Sequence, residues 1–269
     1  MQRRRDQRPA HVTRWAATAL PTAATLATLE AIAMAGYYDY AGNDRGMWHV
    51  NFADPQLFVA YGSALLAQDE LQAAEHPVLG AIRETLIAEG EPAVTKMHGA
   101  ATPVLVIGAV RRCTIETAPD LDAGRPYGLY GNRFAATPPD VVRRAVRVHQ
   151  PPTRTNLIAM AAPVGSGEYT RPQLERILVT VYTGFAAAVA EPQRVWPGTP
   201  TEIRTGFWGC GAFGGNRQVM TIMQLLAARL ACVARLRFNV FDHAGRASFD
   251  AGAATLDRML ANRASRLAL

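Results

Sequence analysis

GFWGCGAFGGNRQ, Gly206 to Gln218, places five glycines (Gly206, Gly209, Gly211, Gly214 and Gly215) within ten residues. The strand-like run Thr201–Trp208 leads into it, and the helical run Asn216–Val233 leads out of it. Glycine turns through positive φ without a steric penalty and lets a ligand approach the backbone closely. Successive amide hydrogens, backed by the positive end of the following helix, can surround a phosphate or diphosphate. Asn216 suits the N-cap of that helix. A tight structural turn would use the same glycines. The run is not a P-loop, because no GK[ST] follows. Nor is it a dinucleotide fingerprint, because it comes late in the chain with different spacing.

Working outward, strands alternate with helices. Met47–Ala53 (MWHVNFA) alternates as a strand with Trp48, Val50 and Phe52 on one side. Thr102–Val110 and Thr155–Ala162 read as buried inner strands, and Phe238–Asp242 as a short one. Helices are expected over Ala23–Ala35, Gly62–Ala74, Val78–Ala88 after the Pro77 break, Arg171–Ala190 and Phe249–Ala264. Cys113–Pro139 reads as a long loop. The alternation predicts an α/β fold, a mixed sheet flanked by helices on both faces.

The formal charge is +6, but residues 1–14 hold arginines at 3, 4, 5, 8 and 14 against Asp6 alone. Most of the excess therefore sits in an expected basic, flexible tail, with residues 15–269 as one nearly balanced domain. That distribution argues against a nucleic-acid binder. Lys96 is the only lysine among 28 basic residues. The cysteines Cys113, Cys210 and Cys232 are scattered, so neither a disulfide framework nor a zinc site is indicated. A cytoplasmic, reducing setting is the expectation. No uninterrupted apolar run of about 18 residues suggests a membrane span. The dispersed histidines predict no metal.

Two segments resemble one family. GCGAFGG, following Gly206-Phe207-Trp208, resembles the phosphate-embracing loop of the poly(ADP-ribose) glycohydrolase family, whose members are macrodomains with extra N-terminal helices. Val50–Gln72 resembles that family's catalytic strand and Gln-Glu-Glu motif. Val50-Asn51-Phe52-Ala53-Asp54 falls on Val-Asp-Phe-Ala-Asn, and Gln68-Asp69-Glu70 on Gln-Glu-Glu.

The resemblance implies a macrodomain-like fold and a glycohydrolase acting on an ADP-ribose-containing substrate. It implies Glu70 as the catalytic acid, with Asp69 and Asp54 on the distal ribose and Glu30 at the adenine end. Gly209, Cys210, Gly211, Ala212, Phe213, Gly214 and Gly215 would hold the diphosphate, with Gln68 among the binding residues. No metal or redox cofactor is required. The alternative it leaves open is a non-catalytic binder of ADP-ribose or a NAD derivative.

The chain departs from the pattern twice. The family's Gly-Gly-Gly falls on Phe58-Val59-Ala60, so three side chains are expected to fill ligand space. Asp69 is also one carbon shorter than glutamate, which retracts its carboxylate by about 1.5 Å. Both point away from a polymer and towards a smaller substrate, such as NAD, a NAD-derived metabolite or ADP-ribose. His49 is a lesser general-base candidate, and Cys210 reads as a small side chain in a crowded turn. Tyr127, Tyr130, Asn132 and Arg133 can close over a ligand or simply shape a loop. Arg217 can add charge beside the glycine loop or face solvent.

Overall fold

The computed structural model describes residues 10–22, 26–40, 45–165, 167–195 and 197–267. Most of the tail, residues 1–9, and the start of the expected helix, residues 23–25, lie outside that set. In chain order the elements are β1 (His11–Arg14), β2 (Glu30–Ala35), β3 (Met47–Ala53), α1 (Gln68–Glu75), α2 (Val78–Ala88), β4 (Lys96–Met97), β5 (Ala100–Ala101) and β6 (Val104–Ile115). They continue with α3 (Arg133–Ala136), α4 (Pro139–Ala145), β7 (Val146–Ala161), α5 (Arg171–Val195), β8 (Glu202–Gly206), α6 (Arg217–Leu230), β9 (Arg235–Phe241) and α7 (His243–Leu267).

Seven strands form one sheet in the order β1-β6-β7-β3-β8-β9-β2. β7, β3, β8, β9 and β2 run parallel. β6 and β1 close one side antiparallel. Parallel strands need apolar cover on both faces, and alternation along each strand supplies it. Trp48, Val50, Ile158, Ile203 and Phe238 point into a core shared with Phe185 of α5, Met220 of α6 and Phe249 of α7. On the other face, Val104, Val106, Leu157 and Ala53 pack with Ala73 of α1, Leu79 of α2 and the loop residues Leu57 and Phe58. The mixed sheet with helices on both faces is the macrodomain-like architecture expected.

Several expectations need correction. Residues 30–35 form a strand, not a helix. The outer edge of β9 offers unpaired backbone groups, and β2 satisfies them in parallel register from Glu30↔Arg235 onward. The alanine-rich run EAIAMA is compatible with either period, and the open edge decides. Residues 11–14, placed in the flexible tail, pair antiparallel with β6 as β1. The extra N-terminal helices are therefore replaced, among the described residues, by strands. α1 starts at Gln68 rather than near Gly62, because residues 57–64 are turns and bends, with Gly62 at φ +70°. Leu66 then bridges to Gly131, which delays the helix further. β7 begins at Val146, well before Thr155. Its outer half pairs with the end of β6 as a long hairpin, so the expected loop over 113–139 is shortened at its start and carries α3.

Phe58 shows how the loop after β3 is held. It sits at φ +51°, fully buried, among the residues under α2. Phe58→Gly removes an aromatic burial worth about 3–5 kcal/mol and returns about 1–2 kcal/mol by relieving the left-handed backbone. The expected result is a lower urea midpoint at unchanged m-value, a net loss of about 1–4 kcal/mol. Unaltered stability would mean that this side chain does not anchor the loop.

Candidate active site

The cleft begins where two strands part. β3 and β8 pair only through Met47–His49 and Glu202–Arg204, although β3 runs on to Ala53. Beyond that point the backbone groups of β3 on the β8 side need other partners. Gln68, the first residue of α1, supplies them. Its Oε1 accepts from Phe52 N at 2.7 Å, and its Nε2 donates to Val50 O at 3.0 Å. Tyr38 Oη also donates to Val50 O at 3.0 Å. On the β8 side, Gln224 Nε2 donates to Gly206 O at 2.9 Å. Between these two caps lies a cleft of about 460 Å³. Phe52, Gly206 and Phe207 contribute to it, as do Gln68 and Gln72 of α1, and Cys210 and Gly211 of the glycine loop.

The glycine loop is built by close approach. Gly209 has φ +74°, and a Cβ there would lie 2.8 Å from Pro163. A Cβ on Gly215 would lie 2.6 Å from Gly209 O. The loop also leans on the segment after β7, with Gly165 N donating to Phe213 O at 3.1 Å and Asn216 N donating to Tyr169 Oη at 3.1 Å. Asn216 Oδ1 caps α6 by accepting from Gln218 N and Val219 N. These internal bonds use the amides of Trp208, Cys210, Gly214, Gly215 and Asn216. The consecutive amides of Gly211, Ala212 and Phe213 donate to no acceptor among the described residues. Three adjacent free donors next to a helix N-terminus are the arrangement that receives an anion.

The carboxylates cluster at the start of α1. Asp69 is 7% exposed, and its Oδ1 accepts from Asn51 Nδ2 at 2.8 Å. Burial pushes its pKa up to about 7; the Asn51 bond works against that shift, and the charges of Glu70 and Asp54 add to it. Glu70 is 8% exposed, and its Oε2 accepts from Ala67 N at 3.1 Å. Burial raises its pKa, opposed by hydrogen bonds from its own amide and that of Ala67, while Asp54 raises it further. Asp54, at the end of β3, turns the chain by accepting from Gln56 N at 2.8 Å. Asp54, Asp69 and Glu70 therefore lie within one another's field.

Gln68, Cys210 and Gly211 share the cleft, and Asp69 and Glu70 follow Gln68 directly on α1 without themselves lining it. Asp54 and Ala212–Gly215 are also outside its walls. Glu30 belongs elsewhere: it starts edge strand β2 and is paired with Arg235 at 2.7 Å, at the end of the sheet opposite the glycine loop. The acid expected at the adenine end is thus engaged in an ion pair remote from the cleft. Nor do Phe58, Val59 and Ala60 line it. Phe58 is turned into the core, so its ring does not fill ligand space as expected, while Val59 is 40% exposed.

His49 is buried against the Tyr40 ring at 4.6 Å, and burial, with Arg204 adding to it, pushes its pKa down to about 3. It is a packed, neutral histidine. Burial pushes the Cys210 thiol up to about 12, which removes it as a nucleophile at neutral pH. Sequence reasoning missed Tyr37, Tyr38 and Tyr40, which follow β2 and wall the cleft, and Asn239 and Phe241 at the end of β9. The signal was the tyrosine cluster itself, three rings within the four residues 37–40. Tyr127, Tyr130, Asn132 and Arg133 do line an adjoining hollow of about 540 Å³, which shares Tyr37, Thr117 and Tyr130 with the cleft. Among the described residues, no three His, Cys, Asp or Glu side chains converge as metal ligands.

A family model described as poly(ADP-ribose) glycohydrolase (PARG), macro domain fold, matches residues 126–247, which include the glycine loop but not α1. Among solved structures, the chain is similar to poly(ADP-ribose) glycohydrolase from Thermomonospora curvata at 15% identity and a TM-score of 0.52, covering 90% of this chain and 85% of that one. The same bacterium's enzyme bound to the inhibitor ADP-HPD is similar at 17% identity and a TM-score of 0.51, covering 82% and 78% respectively. At these identities the likeness establishes the macrodomain fold.

The buried Asp69 makes stability depend on pH. The folded state binds its proton more tightly than the unfolded chain, so its contribution is complete below the ordinary 3.8 and is lost as pH rises through about 7. Asp69→Asn removes the titration while leaving an acceptor for Asn51. Relative to this variant, the wild type should lose on the order of 2–4 kcal/mol between pH 4 and pH 8. Parallel stability–pH curves for the two proteins would show that Asp69 is not held protonated.

Proposed function

We propose that this protein is a glycohydrolase that holds an ADP-ribose-like nucleotide in the cleft and cleaves a glycosidic bond at its distal ribose, with Glu70 as acid and base. The observation that carries this reading is the row of free amides at Gly211, Ala212 and Phe213, whose loop shares a cleft with the first residue of the helix that bears Asp69 and Glu70. The amides take the diphosphate. Asp69 and Asp54 position the ribose hydroxyls.

Glu70, whose pKa burial raises, gives its proton to the departing oxygen of an O-glycoside as the bond to the anomeric carbon breaks; nicotinamide leaves NAD as a neutral base without a proton, and there Glu70 acts only as the base towards water. The resulting carboxylate then takes a proton from water as the water oxygen bonds to that carbon, which restores the acid. Because the loop after β3 carries Val59 and Ala60 outside the core where the resembled family has bare glycine, with Phe58 alone anchored, the substrates expected are compact: NAD, a NAD-derived metabolite or a single ADP-ribosyl group.

One observation favours a second reading, a binder without turnover. The Asp69 carboxylate is engaged by Asn51, that of Glu70 by Ala67 N, and neither lines the cleft.

Incubation with NAD, mono-ADP-ribosylated protein and poly(ADP-ribose), monitored for released ADP-ribose or nicotinamide, separates the two. For the enzyme, Glu70→Gln is expected to lower turnover by about 100-fold or more while ADP-ribose affinity stays within about threefold. Turnover persisting in this variant removes Glu70 from the mechanism. Tight ADP-ribose binding by the wild type with no product from any substrate establishes the binder.

A further inference from the structure

The cleft has two arginines in its walls, and they differ in what they hold. Arg111 is buried and fully engaged: it donates to Glu75 Oε2 at 2.8 Å and to Thr114 Oγ1 at 2.7 Å. Arg217, the first residue of α6, forms no side-chain hydrogen bond among the described residues. Its nearest carboxylate is Asp242 at 3.9 Å, beyond hydrogen-bond reach, and that carboxylate is 63% exposed and already accepts from Gly245 N. An ion pair of this kind contributes little.

The guanidinium nevertheless has a defined place. It lies over the Phe207 ring, 5.0 Å from its centre, on the floor of the cleft where β8 ends. There its side chain is 42% exposed. Its charge reaches the Cys210 thiol, where it opposes the larger effect of burial. A planar fork of N–H donors, restrained by an aromatic face, lines the same cleft as Gly211, the first of the three free amides. Such a fork matches phosphate oxygens two at a time.

We propose that Arg217 is a phosphate-binding residue of this cleft, so that the ligand is held by a fixed side-chain cation as well as by backbone amides. This rests on the nucleotide reading above. The shared chemistry is a phosphate oxygen pair, which has two sources: the diphosphate of the nucleotide, or a phosphomonoester on its adenosine ribose.

Calorimetric titration of the full chain with ADP-ribose and with ADP-ribose 2′-phosphate, at low and high salt, distinguishes them. If the diphosphate is the partner, Arg217→Gln weakens both ligands by about tenfold or more, and Arg217→Lys recovers part of the loss. If the monoester is the partner, the wild type prefers the 2′-phosphate, and Arg217→Gln abolishes that preference while leaving ADP-ribose unchanged. Either result should bring a weaker salt dependence in the variant. Wild-type affinity of Arg217→Gln for both ligands, with its melting temperature unchanged, overturns the role of Arg217 alone. Failure of the wild type to bind either ligand overturns the nucleotide reading and this inference with it.

Discussion

The site depends on a gap in the sheet. Two parallel strands that stayed paired to their ends would leave no room above them. Here β3 and β8 separate after three residues of ladder, and the cost falls on the exposed backbone of β3. An unpaired buried carbonyl or amide costs on the order of 1–3 kcal/mol. Gln68 removes that cost at Val50 and Phe52 by imitating the missing strand with its side-chain amide. The same two bonds clamp the first turn of α1 against the cleft wall. The residues that follow, Asp69 and Glu70, are therefore positioned by the device that lets the sheet open.

α1 could not hold its place by apolar packing. It has eight residues, and among those it buries only Ala73 is apolar; Asp69, Glu70, Gln72 and Glu75 are the others. Hydrogen bonds anchor it. Asn51 of β3 donates to Asp69 and to Gln72 Oε1, and Gln72 Nε2 donates to Tyr40 Oη. Glu75 receives Arg111 Nε and the amide of Ile115 from the β6–β7 hairpin. His76, just past the helix, closes on Thr155 of β7 at 2.7 Å. A buried polar network of this kind is stiff when its members are satisfied, and removing one strands its partners. It holds carboxylates in one geometry better than a greasy face would, because each bond is directional.

These arrangements explain what could be read in advance. β3 was legible to the residue because alternation and burial agree over Met47–Ala53. α2 was legible because Pro77 and the apolar period mark it off. The glycine loop was legible because close approach at Gly209 and Gly215 admits no side chain. β2 was not, because its pattern suits two structures and a partner more than two hundred residues along the chain selects one. The start of α1 was hidden for the same reason: the Leu66 bridge to Gly131 is non-local. Glu30 has the chemistry of a ligand contact but not the location, and only the register with Arg235 reveals that. Phe58 in place of glycine announced a blocked pocket. A single backbone turn at φ +51° sends the ring into the core instead.

The two ends of the cleft solve opposite electrostatic problems. An anion on the free amides of the glycine loop would bring negative charge into a cleft that Gln68 walls, and Asp69 and Glu70 follow Gln68 directly. Fully ionised, Asp54, Asp69 and Glu70 would repel each other and the ligand through a medium of low dielectric, where screening is weak. Burial instead pushes Asp69 up to about 7, which leaves it only partly charged near neutral pH, and it raises Glu70 as well. Asn51 stands where the resembled motif has an acid, and Asp54 where it has an amide. The exchange conserves the number of carboxylates while giving Asp69 a neutral donor within hydrogen-bond distance. At the other end the positive potential comes from peptide dipoles and from one guanidinium held over an aromatic ring. Peptide donors survive almost any substitution that leaves the glycines in place, whereas the acid end depends on every side chain in its network.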